Sequence, residues 1–62
     1  MRLLCTLESG KKAVKIFQME NGKFWPMKFN DFETKTLTIR NSMEFSILHN
    51  ALKHANEFLK ID

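Results

Sequence analysis

The hydrophobic period of this chain changes once, near residue 41, and that change constrains the fold more than any other feature. Before it, apolar residues alternate with polar ones at a spacing of two, the pattern of half-buried strands. After it they recur at three and four, the pattern of an amphipathic helix. A chain of 62 residues with strands first and a helix last has room for one layer of each. The expected architecture is therefore α+β in the order ββββα: a four-stranded antiparallel sheet followed by one long C-terminal amphipathic helix. The whole chain, 1–62, reads as a single domain without internal repeat, linker or low-complexity segment.

Local signals set the expected boundaries. Leu3, Cys5 and Leu7 alternate with Leu4, Thr6 and Glu8 in a strand over about 2–8, and Ser9-Gly10-Lys11 supplies a turn. The second strand covers about 11–20, with Val14 and Ile16 on one face and Lys15, Phe17 and Met19 on the other. Asn21-Gly22 between two alternating runs is the strongest short hairpin signal. The third strand, about 23–29, contains Pro26, which lacks an amide donor and so marks an edge, a bulge or a break. Residues 30–33 read as a loop, and a β-branched run over about 34–40 as the fourth strand. Asn41 with Glu44 three residues later has the form of a capping box, opening a helix over about 42–61.

That helix carries two apolar stripes. Phe45, Leu48, Leu52, Ala55 and Leu59 form one, and Ile47, Ala51, His54, Phe58 and Ile61 run beside it. One stripe packs on the sheet. The second needs another surface, because a chain this short buries only about 60% of its unfolded surface. Its single cysteine, Cys5, makes no internal disulfide, and Cys5, His49 and His54 fall short of the four ligands of a structural zinc site. The expected remedy is a homodimer, with Ile47, Ala51, His54, Phe58 and Ile61 at its interface.

Catalytic constellations do not emerge. Ser9, Ser42 and Ser46 lie outside any nucleophile elbow, the carboxylates are scattered, and His49 and His54 sit about 140° apart on a helix. A protein without catalytic residues, metal or cofactor is the expectation. Charge is more informative. The net charge is +3, but residues 11–40 hold +4 and residues 41–62 hold −1. Basic and aromatic residues interleave on strands two to four: Lys11, Lys15, Phe17, Lys23, Trp25, Lys28 and Lys35. Lysines neutralise phosphates while aromatic rings stack on unpaired bases, which is the chemistry of single-strand binding. The same aromatic residues also suit the core of a twisted sheet.

The run Lys35-Thr36-Leu37-Thr38-Ile39-Arg40-Asn41-Ser42, continued by Met43, Glu44 and Phe45 into the helix, resembles the transcriptional coactivator "positive cofactor four" family with its bacterial and phage members. Gly10-Lys11-Lys12-Ala13-Val14-Lys15-Ile16-Phe17 is similar to the family's second strand, and Asn21-Gly22 stands at its hairpin. The resemblance spans roughly residues 7–60 in order and spacing. It implies a ββββα homodimer that binds single-stranded DNA along its β-surface. It also implies that Lys11 matches the lysine after the loop glycine, Lys35 the lysine opening strand four, and Phe17 a DNA-facing side chain. Two departures weaken the implied contacts. Glu8-Ser9 stands where eukaryotic members have an aromatic and a basic residue, and Asp31 and Glu33 occupy a loop that is basic in the family.

Together these readings predict a non-catalytic homodimer that binds single-stranded DNA, or RNA, in transcription, replication or repair. The alternative is a small phage or bacterial adaptor or inhibitor that presents its basic sheet to an acidic protein. No run approaches the roughly 20 apolar residues of a membrane span and no signal peptide is evident, so a cytoplasmic location, nucleoid-associated or in a phage host, is expected.

Overall fold

The computed structural model describes residues 1–38 and 43–60. Four strands, β1 (Arg2–Ser9), β2 (Lys12–Gln18), β3 (Phe24–Asp31) and β4 (Thr36–Thr38), precede one helix, α1 (Leu48–Lys60). The strands form one antiparallel meander in the order β1-β2-β3-β4. The ββββα architecture read from the change of period is the fold.

Each hairpin follows from its turn residues. Ser9 pairs with Lys12, leaving Gly10 and Lys11 as a two-residue loop. Gly10 has φ +60° at the first central position, the arrangement of type II′ hairpins. At the second hairpin only Gly22 takes positive φ, +85°. The Gly22 amide donates to the Met19 carbonyl at 2.9 Å, and the Met19 amide to the Lys23 carbonyl at 2.8 Å. This is a three-residue turn closed by a left-handed glycine, rather than a two-residue Asn-Gly turn. The β3–β4 turn is built on Asp31, whose Oδ1 accepts from the amides of Glu33 at 3.0 Å and Thr34 at 3.4 Å.

β3 runs through Pro26 without a break. The Phe24 amide and carbonyl both bond to Phe45, on the side of β3 away from β2. Residues two apart on a strand send their backbone groups to the same side. The donor that Pro26 lacks would therefore point to that outer side, between the Phe45 bridge and the Lys28–Thr38 pair. The β2–β3 ladder loses nothing.

β1 carries a bulge. Its register against β2 shifts between Leu3 and Cys5, so Leu3 pairs with Phe17 while Cys5 pairs with Ile16. The expectation that Leu3, Cys5 and Leu7 share one face is corrected here. The extra residue sends Leu3 to the face opposite Cys5 and leaves it 47% exposed.

The helix begins later than its sequence implies. Residues 43–47 precede α1 because Phe45 exchanges two backbone hydrogen bonds with Phe24, at 2.7 and 2.8 Å, and cannot also join a helical ladder. Asn41 and Ser42 of the expected capping box lie outside the described residues, as does Ile61. A 13-residue helix is about 20 Å long, not the 30 Å of the expected one. Its two stripes are adjacent parts of one wide face. Val14, Ile16 and Ala55 form the centre of the core, with Leu4, Cys5, Leu7, Leu52, Phe58 and Leu59 packed around it. Ala51 and Ala55 are both fully buried, and their small side chains let the helix lie close on β2 and β3. Two residues expected at a dimer interface, Ala51 and Phe58, are thus packed within their own chain. Strands β1, β2 and β3 contact the helix and cover the middle of both stripes. Ile47, at 58% exposure, stays on the surface.

Candidate nucleic-acid interface

The helix covers one face of the sheet, and the strand register defines what stands on the other. Paired residues in adjacent strands share a face. Opposite Val14 and Ile16 lie three cross-strand rows: Leu3–Phe17–Trp25, Thr6–Lys15–Met27 and Glu8–Ala13–Phe29–Leu37. No helix lies over this face among the described residues. It combines an apolar spine with Lys15 at its middle.

Phe17 and Trp25 form the first group. Their ring centroids are 6.0 Å apart with an interplanar angle of 30°, and both side chains are half-buried. Such a pair adds about 0.5–1.5 kcal/mol beyond its area burial. It holds a rigid aromatic ledge at one end of the face. Phe29 and Phe32 form the second group, edge to face at 5.2 Å. Phe29 is only 5% exposed because Phe32 folds back over it from the β3–β4 turn. The Lys15 ammonium lies 5.9 Å from the Phe29 centroid and 5.6 Å from that of Phe32, and the Lys35 ammonium only 3.5 Å from the Phe32 centroid. Each contact of this kind contributes about 0.5–1 kcal/mol at an exposed site.

The remaining lysines scatter. Lys11 is exposed on the β1–β2 turn, and its carbonyl accepts from the Phe32 amide at 2.7 Å, which ties two distant turns together. Lys23 is exposed at the opposite end of the sheet, where Asn21 Oδ1 accepts from its amide at 3.0 Å. Lys28 does not belong to this surface. It pairs with Val14, so strand alternation puts it on the helix side, where it is 4% exposed. Lys28, expected among the nucleic-acid contacts, thus lies away from the open face by a parity present in the sequence: Lys28 and Phe29 are neighbours on a strand and cannot share a face. Phe32 was missed for the opposite reason. It sits between two acids in a loop, and only the turn geometry brings it over Phe29.

On the helix side Lys28 joins a small polar seam. Its ammonium donates to His54 Nε2 at 3.1 Å and lies 5.8 Å from the Phe58 centroid. An ammonium only donates, so Nε2 accepts and the imidazole proton sits on Nδ1. Burial lowers the Lys28 pKa. Burial and then the Lys28 charge lower that of His54, while Glu57 opposes the shift. His54 also tilts against Phe45, with centroids 5.2 Å apart. The expected interface residue is therefore engaged within its own chain. Lys12 reaches from β2 to the helix end, donating to the Phe58 carbonyl at 3.5 Å, where helical carbonyls are unpaired and attract cations.

Among the described residues no group of three His, Cys, Asp or Glu converges as a metal site would require. Cys5 is a free, half-buried thiol packed against the core. No helix among the described residues is long and apolar enough to cross a membrane. No protein-family model, curated protein or solved structure matches the chain, so what the open face does is argued from its geometry and chemistry.

Proposed function

We propose that the protein is a non-catalytic, homodimeric nucleic-acid-binding protein that takes single-stranded DNA on the open face of its sheet, in transcription, replication or repair. One observation carries the reading: the Phe17–Trp25 ledge stands beside Lys15 on a face that the helix leaves uncovered. Unpaired bases present a π-face that stacks on such a ledge, worth about 1–3 kcal/mol per base, and the lysines release phosphate counterions. Lys11, Lys23 and Lys35, exposed at the two ends of the sheet, extend the positive path. A duplex keeps its bases stacked internally and cannot use the ledge. The order of elements agrees with the resemblance to the "positive cofactor four" family, and the homodimer is proposed on the same ground. Of the residues expected at the dimer interface, Ile47 offers exposed apolar surface, with exposed Leu48 next to it and Met43 four residues before it.

The test is a titration of Trp25 fluorescence with a single-stranded oligonucleotide and with its duplex at several salt concentrations. The expected result is quenching by the single strand, with log affinity falling linearly against log salt by about 0.7 for each phosphate contacted. Equal affinity for the duplex, or no change in Trp25 emission, overturns the reading.

A further inference from the structure

Phe32 is the residue of the open face that the proposed function does not yet use. Three observations set it apart from a ring that merely covers the sheet. Its position is built: Asp31 Oδ1 holds the turn by two amide hydrogen bonds, the Thr34 and Thr36 hydroxyls meet at 2.7 Å, and the Phe32 amide is fixed to the Lys11 carbonyl. Its ring is only half-buried. Two ammonium groups, Lys15 and Lys35, approach that ring, with Lys35 at 3.5 Å from the centroid. Lys35 does so from a left-handed backbone, φ +58°, the only non-glycine residue of positive φ among those described.

We infer that Phe32, with Lys15 and Lys35, forms a second nucleotide subsite at the far end of the open face. This inference rests on the single-strand reading above. Phe17 and Phe29's partner Ala13 are four residues apart on β2, and Trp25 and Phe29 four apart on β3. At about 3.3 Å per residue, the two aromatic groups are separated by about 13 Å along the strands. Lys15 stands between them. In the free protein the Lys35 ammonium occupies the Phe32 ring by cation–π attraction. A phosphate offers that ammonium a full negative charge in place of a ring quadrupole. Lys35 then moves to the phosphate and bares the ring for the adjoining base. One lysine thus exchanges partners as the nucleotide enters, and no bond is made or broken. A strand long enough to reach both aromatic groups gains affinity because its second contact is intramolecular.

The experiment compares wild type with Phe32→Leu, which keeps apolar cover over Phe29 and removes the ring. Thermal unfolding of both checks that the variant is folded. A dinucleotide and longer oligothymidylates are titrated, and the Lys35 ε-methylene protons are followed by NMR. With the ammonium 3.5 Å from the ring centroid, those protons are expected upfield of their usual position in free wild type. The long oligonucleotide is expected to relieve that shift and the dinucleotide, held at the Phe17–Trp25 ledge, to leave it. Phe32→Leu is expected to bind the dinucleotide as wild type does and the long oligonucleotide about ten-fold more weakly, the loss of one stacked base. Lys35 protons that stay upfield in the long complex overturn the subsite. So does a Phe32→Leu variant that binds the long oligonucleotide as tightly as wild type, or a polyglutamate that relieves the shift as fully as the oligonucleotide. Wild type that binds neither nucleic acid sinks the single-strand reading itself, and the subsite with it.

Discussion

Lys15 and Lys28 pose the sharpest test of the face assignment, because they look interchangeable in composition and the register separates them completely. Lys15 pairs with Met27 on the open face, whereas Lys28 pairs with Val14 beneath the helix and is 4% exposed. Each is replaced by methionine, which keeps the unbranched stem and removes the charge. If Lys15 contacts a phosphate, Lys15→Met reduces the slope of log affinity against log salt by about 0.7. Across a four-fold rise in salt, wild type then loses about 2.6 times more affinity than the variant. Lys28→Met leaves the slope unchanged. Stability falls in both variants. Lys15→Met loses two ring contacts, at 5.6 and 5.9 Å, for a cost of about 1–2 kcal/mol. Lys28→Met leaves the His54 Nε2 acceptor without its donor and removes the ammonium from the Phe58 ring, for a cost of about 1–3 kcal/mol. Oligonucleotide titrations at several salt concentrations and urea unfolding measure both quantities. A Lys28→Met slope that falls as far as that of Lys15→Met would refute the assignment of faces.

Two further predictions follow from the helix seam. His54 has its pKa lowered in the folded chain, so between that value and about 6.5 the unfolded chain binds more protons. Stability is therefore fully present above pH about 6.5 and is lost as pH falls through this window, and His54→Gln, which still accepts from Lys28, flattens that part of a urea-midpoint profile against pH. Ala51 is fully buried against its own sheet, so Ala51→Leu overpacks the seam and destabilises by about 1–3 kcal/mol at every protein concentration in thermal unfolding. For the proposed homodimer, Ile47→Ser is expected, by contrast, to shift a sedimentation profile toward monomer while leaving the monomer's stability within about 0.5 kcal/mol, and a profile that does not shift counts against Ile47 at the interface.

What the sequence revealed was what depends on neighbours along the chain. Val14 and Ile16 alternate with Lys15 and Phe17, and they take opposite faces as alternation requires. Gly10 and Gly22 stand where the backbone needs positive φ. What depends on contacts across the chain was hidden. The helix start moved because Phe45 pairs with Phe24, 21 positions earlier in the sequence, and helix periodicity contains no trace of that bridge. The β1 bulge turned Leu3 to the open face, where it extends the row of Phe17 and Trp25. Of the expected site, Lys15, Phe17 and Trp25 come together on one surface, while Lys11, Lys23 and Lys35 lie at its ends. Phe32 was illegible because its role arises from an Asp31-centred turn and from Lys35 lying on its ring. The second helical stripe, by itself, does not identify a dimer interface, for a physical reason. Apolar width on a helix measures how much surface needs covering and does not say whether the chain's own sheet or a second copy provides it.

Backbone amide and tryptophan indole shifts, followed by NMR during titration with a single-stranded oligonucleotide, test the central claim most directly. The predicted result is that the Trp25 indole and the amides of Lys15, Phe17 and Met27 move together and saturably, while those of His49, Lys53 and Asn56 on the solvent side of α1 stay in place. Shifts confined to α1, or none at saturating oligonucleotide, would contradict the assignment of the open sheet face as the binding surface.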